Sequence, residues 1–167
     1  MDIIMHGDSE YYINNFSTSV VGIHHENEEG KLRFKVLQEY LEKKVDIDHR
    51  FVGYNDESFL SDDFYYREKI YEFPYSETST INLKIDTENS FDEDPIKVYH
   101  IVLGDLGYVP IKNKNKVREI IDKHKIVMIQ MDVTGGRYKY VDFENHEIRS
   151  GETSLGINIT IYYEERV

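Results

Sequence analysis

In two stretches near the C-terminus apolar residues recur at every second position: Val127, Ile129, Met131 and Val133, then Leu155, Ile157, Ile159 and Ile161. A period of two is that of a strand with one buried face, whereas a helix would scatter these side chains around its axis. The same alternation recurs at Ile81, Leu83 and Ile85, against Asn82, Lys84 and Asp86. It stops at the polar turn from Glu88 to Asp94, and a partner strand is expected from Pro95 to Leu103, closed by a turn at Gly104-Asp105. Phe16 to His25 is β-branched and uncharged over most of its length and reads as a further strand. Helices are expected only at Lys31 to Lys44, with Phe34, Leu37, Tyr40 and Leu41 on one face, and at Asn113 to His124, with Val117, Ile120, Ile121 and His124. The expected fold is therefore mainly β (α+β), one domain over residues 1–167: a small curved sheet or SH3/OB-like β-barrel with two helices at its ends.

Composition narrows what this domain does. The chain has no Cys, which excludes disulfide scaffolds, thiol nucleophiles and thiolate zinc sites. The N-terminal segment Met1 to Glu10 has no basic residue and does not read as a signal peptide, and no uncharged apolar run nears the roughly 18 residues of a spanning helix. A cytoplasmic chain without membrane contact is the expectation. The formal charge is −12, but it is unevenly placed: residues 1–96 hold 9 basic and 22 acidic side chains, residues 97–167 hold 11 and 10. Phosphate binding needs Lys and Arg, so any such contact is expected from the second part.

The order of the pieces carries a resemblance. Val20-Val21-Gly22-Ile23, then a strand, then Asn89-Ser90-Phe91-Asp92-Glu93-Asp94-Pro95-Ile96-Lys97-Val98, then Leu106-Gly107-Tyr108-Val109-Pro110, a helix and a strand ending in Gly135-Gly136, resembles the HIRAN domain over roughly residues 17–136. Pro95 stands where the family has a small residue. The resemblance implies a compact β-barrel that, in eukaryotic members, holds the 3′ end of single-stranded DNA. By position it implies Phe91 as the aromatic stacked on a terminal base, Asp92 as the acceptor of the 3′-hydroxyl, and Tyr108 and Lys112 beside the backbone. His24 and His25 stand where those members place Arg and Tyr. Residues 45–79 form an insertion that the family lacks, and 137–167 a C-terminal strand extension.

Other readings of the same residues stay open. Asp92 also suits an Asn-x-x-Asp turn that bonds its own backbone, and Phe91 and Tyr108 suit core or rim aromatics. His24 and His25, adjacent on an expected strand, would face opposite sides and so do not suit one metal. Lys112, Lys114, Lys116, Arg118, Lys123 and Lys125 lie within 14 residues, the one basic cluster of an acidic chain; they read either as a solvated helix face or as a phosphate track. No nucleophile elbow, phosphate-binding Gly loop or His-Glu-x-x-His motif is present, so neither enzymatic activity nor a cofactor is expected.

The insertion suggests a rival function. It carries nine aromatics between Phe51 and Tyr75, among them Tyr54, Phe59, Tyr65 and Tyr66, interspersed with Asp56, Glu57, Asp62 and Asp63. Such a surface suits a phage-type anti-defence inhibitor, for example an anti-CRISPR protein, that occupies the DNA channel of a basic protein partner. A homodimer contact through the same insertion is a third reading, ranked below these. The leading expectation is a module binding single-stranded DNA ends, or stalled or damaged DNA.

Overall fold

A computed structural model describes residues 3–61, 68–88, 93–142 and 144–167. Two antiparallel sheets carry the fold. The larger joins β1 (Ile3–His6), β2 (Ser9–Ser19), β9 (Glu147–Arg166), β8 (Lys125–Asp142) and β3 (Ile70–Tyr71) in that order, with β4 (Ser76–Thr78) also on β8. The smaller is β5 (Ile81–Ile85), β6 (Ile96–His100) and β7 (Gly104–Tyr108). The mainly β expectation holds, but neither sheet closes into a barrel. The two expected helices are α1 (Arg33–Lys44) and α3 (Ile111–Lys123), and a third, α2 (Asp56–Ser61), lies in the insertion.

The alternating positions from Ile129 onward and from Leu155 to Ile161 supply the centre of the core, whereas Val127, beside a register shift at Ile126/Met128, is 43% exposed. Met131, Ile159 and Ile161 are fully buried, together with Leu37 and Leu41 of α1 and Val117 and Ile120 of α3, so both helices bury the stripes their spacing predicts. Ile96 and Val98 add the inner face of β6. β8 and β9 are 18 and 20 residues long. At about 3.3 Å per residue a straight strand of that length would project far beyond one core. Instead the ladder shifts register at Thr134/Gly136, and Gly135 takes φ +69° where an added Cβ would lie 2.0 Å from the Ser154 carbonyl oxygen. Gly135-Gly136 thus ends no strand: it is a bulge that lets one strand serve two cores. Beyond it, Ile70 and Val141 form a second small core under Phe51, Tyr54, Leu60 and Ile148.

Two local expectations change, and one strand was not foreseen. The strand expected over Phe16 to His25 ends at Ser19, and Gly22 to His25 turn instead, with the His25 N–H donating to the Gly22 carbonyl at 3.1 Å. The β6–β7 turn is Ile101 to Leu103, so Gly104 and Asp105 open β7 rather than turning the chain. Ser9 to Asn15 is strand although it lacks alternation, because both faces of this arm are half solvated: Tyr12 and Asn14 bond Glu165 at 2.7 and 2.8 Å rather than entering the core. No helix among the described residues is long and apolar enough to cross a membrane.

Candidate nucleic-acid interface

Register builds the site. Lys84 on β5 pairs with Lys97 on β6, which pairs with Tyr108 on β7, and Tyr108 pairs in turn with Val21. Directly paired residues share a face, so Lys84, Lys97 and Tyr108 form one row across the outer side of the smaller sheet. Tyr99, two residues along β6, lies on the same face. The Lys97 ammonium sits 5.7 Å from the Tyr99 ring centroid and 5.6 Å from that of Tyr108; Lys84 is 5.9 Å from Tyr99, and the Arg33 guanidinium is 5.6 Å from Tyr108. Aromatic rings interleaved with cations make up this face.

Two carboxylates hold the cations. Arg33 donates through Nε and Nη2 to Asp105 Oδ2 at 3.2 and 2.8 Å, and through Nη1 to the Gly22 carbonyl at 2.9 Å. Burial by itself would raise the Asp105 carboxyl, yet the Arg33 guanidinium and the Glu28 N–H hold it below its ordinary value. Glu28 Oε1 accepts from Lys97 Nζ and from the Tyr99 hydroxyl, both at 2.6 Å. The Lys97 bond lowers Glu28; burial and that same carboxylate push the Tyr99 phenol up to about 12. Glu28, Lys84, Lys97 and Tyr99 line a hollow of about 230 Å³ with Asp86, Thr87 and Glu88.

The expected site residues distribute unevenly around this face. Tyr108 is on it, half-buried. Phe91 and Asp92 lie outside the described residues. Among the described ones, the Asp86 N–H donates to the Pro95 carbonyl at 2.8 Å, and Lys114 of α3 donates to the Glu93 carbonyl at 2.6 Å. Lys112 is exposed, Lys116 approaches Glu119 at 4.0 Å, and Arg118 bonds Asp122 at 2.9 Å, so much of the basic helix is compensated along its own surface. His24 and His25 are exposed in the turn after Gly22; His24 lies 5.5 Å from Phe34, ring to ring, in a separate cavity of about 380 Å³ lined by Phe73, Arg137 and Leu155 among others. Spacing alone did not single out Lys84, Lys97, Tyr99, Arg33 or Glu28. For Lys84, Lys97 and Tyr99 the signal was the outward half of the β5 and β6 alternation, which acquires meaning once the register is known; Arg33 on α1 and Glu28 in the turn before it carried no local signal.

The insertion residues also divide. Tyr54 packs on the second small core rather than standing as a free anchor. Asp56 lies 3.5 Å from Lys139, and Glu57 is exposed. Asp62, Asp63, Tyr65 and Tyr66, and the side chain of Phe59, lie outside the described residues.

A second polar cluster is committed to the fold. Glu77 accepts from Tyr40 at 2.7 Å, Tyr75 at 2.5 Å and Thr80 at 2.8 Å, and bonds His100 Nε2. His100 Nδ1 accepts the N–H groups of Val102 and Leu103 at 3.1 and 3.2 Å, which places the ring proton on Nε2, facing Glu77. The cluster ties α1 and β6 to β4 on the larger sheet. Burial would raise the Glu77 carboxyl, but its four donors outweigh that and bring it down to about 2 from an ordinary 4.5. A depressed carboxyl stabilises the fold above its unfolded value and loses that stability as pH falls toward the folded one. Unfolding followed by circular dichroism should therefore show a stability loss between pH 4.5 and 2 that is smaller in Glu77→Gln by on the order of 3 kcal/mol.

Together these features define a β-rich protein with an aromatic and cationic sheet face guarded by a carboxylate; among the described residues no group of three or more His, Asp or Glu side chains is placed to hold a metal. No family model, curated protein or solved structure matches the chain.

Proposed function

We propose that the protein is a module binding single-stranded nucleic acid, the function the HIRAN resemblance implies, and that the strand lies across the outer face of β5, β6 and β7. The row Lys84–Lys97–Tyr108, with Tyr99 beside it, is the observation that carries this reading. Rings offered to bases contribute about 1–3 kcal/mol each without reading sequence, and lysines between them meet the phosphates. The basic helix is assigned a lesser part, because Glu119 and Asp122 already engage two of its cations.

The test is an anisotropy titration with 3′- and 5′-labelled single-stranded DNA at two salt concentrations. Replacing Tyr99 and Tyr108 by Ala should weaken binding by at least tenfold, the equivalent of about 1.4 kcal/mol, whereas Lys112→Glu with Lys116→Glu should cost less and mainly flatten the salt dependence. Unchanged affinity in the double Tyr variant overturns the placement.

A second reading rests on another surface. Ile47 and Val52 are 78% and 55% exposed, with exposed Asp46 and Asp48 flanking Ile47 and exposed Asp56 and Glu57 following Val52 in the chain. Apolar side chains among carboxylates suit a basic protein partner, as an inhibitor would need. A chain that binds no DNA at either salt concentration favours this reading.

A further inference from the structure

The sheet face already contains an anion of its own. Glu28 Oε1 accepts from the Lys97 ammonium and the Tyr99 hydroxyl, the donor set that a phosphate oxygen would use. We infer that Glu28 is a displaceable resident anion: it occupies the phosphate position at Lys97 and Tyr99 and gives way when a strand phosphate binds there. The inference rests on the nucleic-acid reading of this face.

The local construction presents Glu28 deliberately. Asn27 is buried, and its Oδ1 accepts the N–H groups of Glu29 and Lys31 at 3.0 and 2.9 Å, while the Glu28 N–H donates to Asp105 Oδ1 at 3.1 Å. The backbone is therefore fixed and only the side chain needs to move. Lys97 is 11% exposed and Glu28 55%, so the carboxylate caps a buried cation from the solvent side and can rotate away without opening the core. Among the described residues the other charged groups near it are Asp105, paired with Arg33, and Lys84, Asp86 and Glu88 lining the same hollow. With Glu28 in place the carboxylates of the hollow outnumber its lysines, and a free polyanion meets no net attraction. A strand that also stacks on Tyr99 and Tyr108 can displace Glu28; a polyanion without rings gains less from doing so.

The experiment titrates wild type, Glu28→Gln and Glu28→Ala with a fluorescein-labelled oligothymidine strand, after thermal unfolding confirms that each variant is folded. Both variants should bind about tenfold more tightly than wild type and with a steeper salt dependence, since a charge-assisted contact no longer has an internal competitor. Adding Tyr99→Phe, which keeps the ring and removes the second donor, should cancel much of the gain. If Glu28→Gln and Glu28→Ala bind no better than wild type while the Tyr99/Tyr108 double Ala variant loses binding, the resident-anion inference falls and the interface stands. If wild type and both Glu28 variants bind no strand at either salt concentration, the interface itself is wrong and the inference falls with it.

Discussion

Gly107→Ala should lower the melting temperature by roughly 10 °C, a loss on the order of 4 kcal/mol for a chain of this size. Gly107 has φ +148°, and an added Cβ would lie 2.1 Å from the Val21 carbonyl oxygen and 2.9 Å from Val20 Cγ1. The obstacle is backbone, which cannot swing aside as a side chain can. It also sits where Val21 and Tyr108 exchange two hydrogen bonds of 2.9 Å, the pairing that joins the segment after β2 to the smaller sheet. Gly104→Ala is the control. Gly104 also has positive φ, at +79°, but nothing lies within 4 Å of an added Cβ, so only the left-handed backbone cost of about 1 kcal/mol should appear. Equal effects at the two positions would show that the close approach at Gly107 does not matter.

Arg33→Met should be similarly damaging, at about 3–5 kcal/mol, because it strands a buried carboxylate. The side chains of Arg33 and Asp105 are 6% and 4% exposed, and the pair bridges α1 to β7. Asp105 also holds the Glu28 N–H, so the loss should spread to the 27–30 turn and loosen the guard of the binding face. Met keeps the linear stem while removing the charge. Adding Asp105→Asn to Arg33→Met should restore part of the stability in denaturant unfolding, since no unpaired charge then remains. A double variant less stable than Arg33→Met alone would mean that the orphaned charge is not what makes the single substitution costly.

What the sequence made legible follows from the range of each interaction. Alternation at Ile129 to Val133 and Leu155 to Ile161 and the stripes of both helices concern neighbours within a few residues, and those elements form where expected, although β8 runs on past the Gly135-Gly136 bulge. Val45 to Ser79 has no period because it is built from short pieces, a 3₁₀ stretch, α2, β3 and β4, of which α2 and β3 lie along the distal half of the β8–β9 hairpin. Its order depends on that hairpin rather than on its own pattern. The site was less legible still: Tyr108 was within reach of motif spacing, but Arg33 and Asp105 are 72 residues apart and Glu28 and Lys97 are 69 apart. Lys84, Lys97 and Tyr99 looked like ordinary solvated strand positions until the β5–β6–β7 register placed them beside Tyr108.

The central claim is that a nucleic-acid strand lies on the outer face of the smaller sheet. Amide chemical-shift mapping of the isotope-labelled protein, titrated with a short single-stranded oligonucleotide, tests it most directly. The account predicts saturable shifts concentrated in Ile81–Ile85, Ile96–His100 and Gly104–Tyr108, with the Glu28 amide moving as its side chain is displaced. Shifts confined to α3, or to the turn around Ile47 and Val52, with β5 to β7 unmoved, would contradict it.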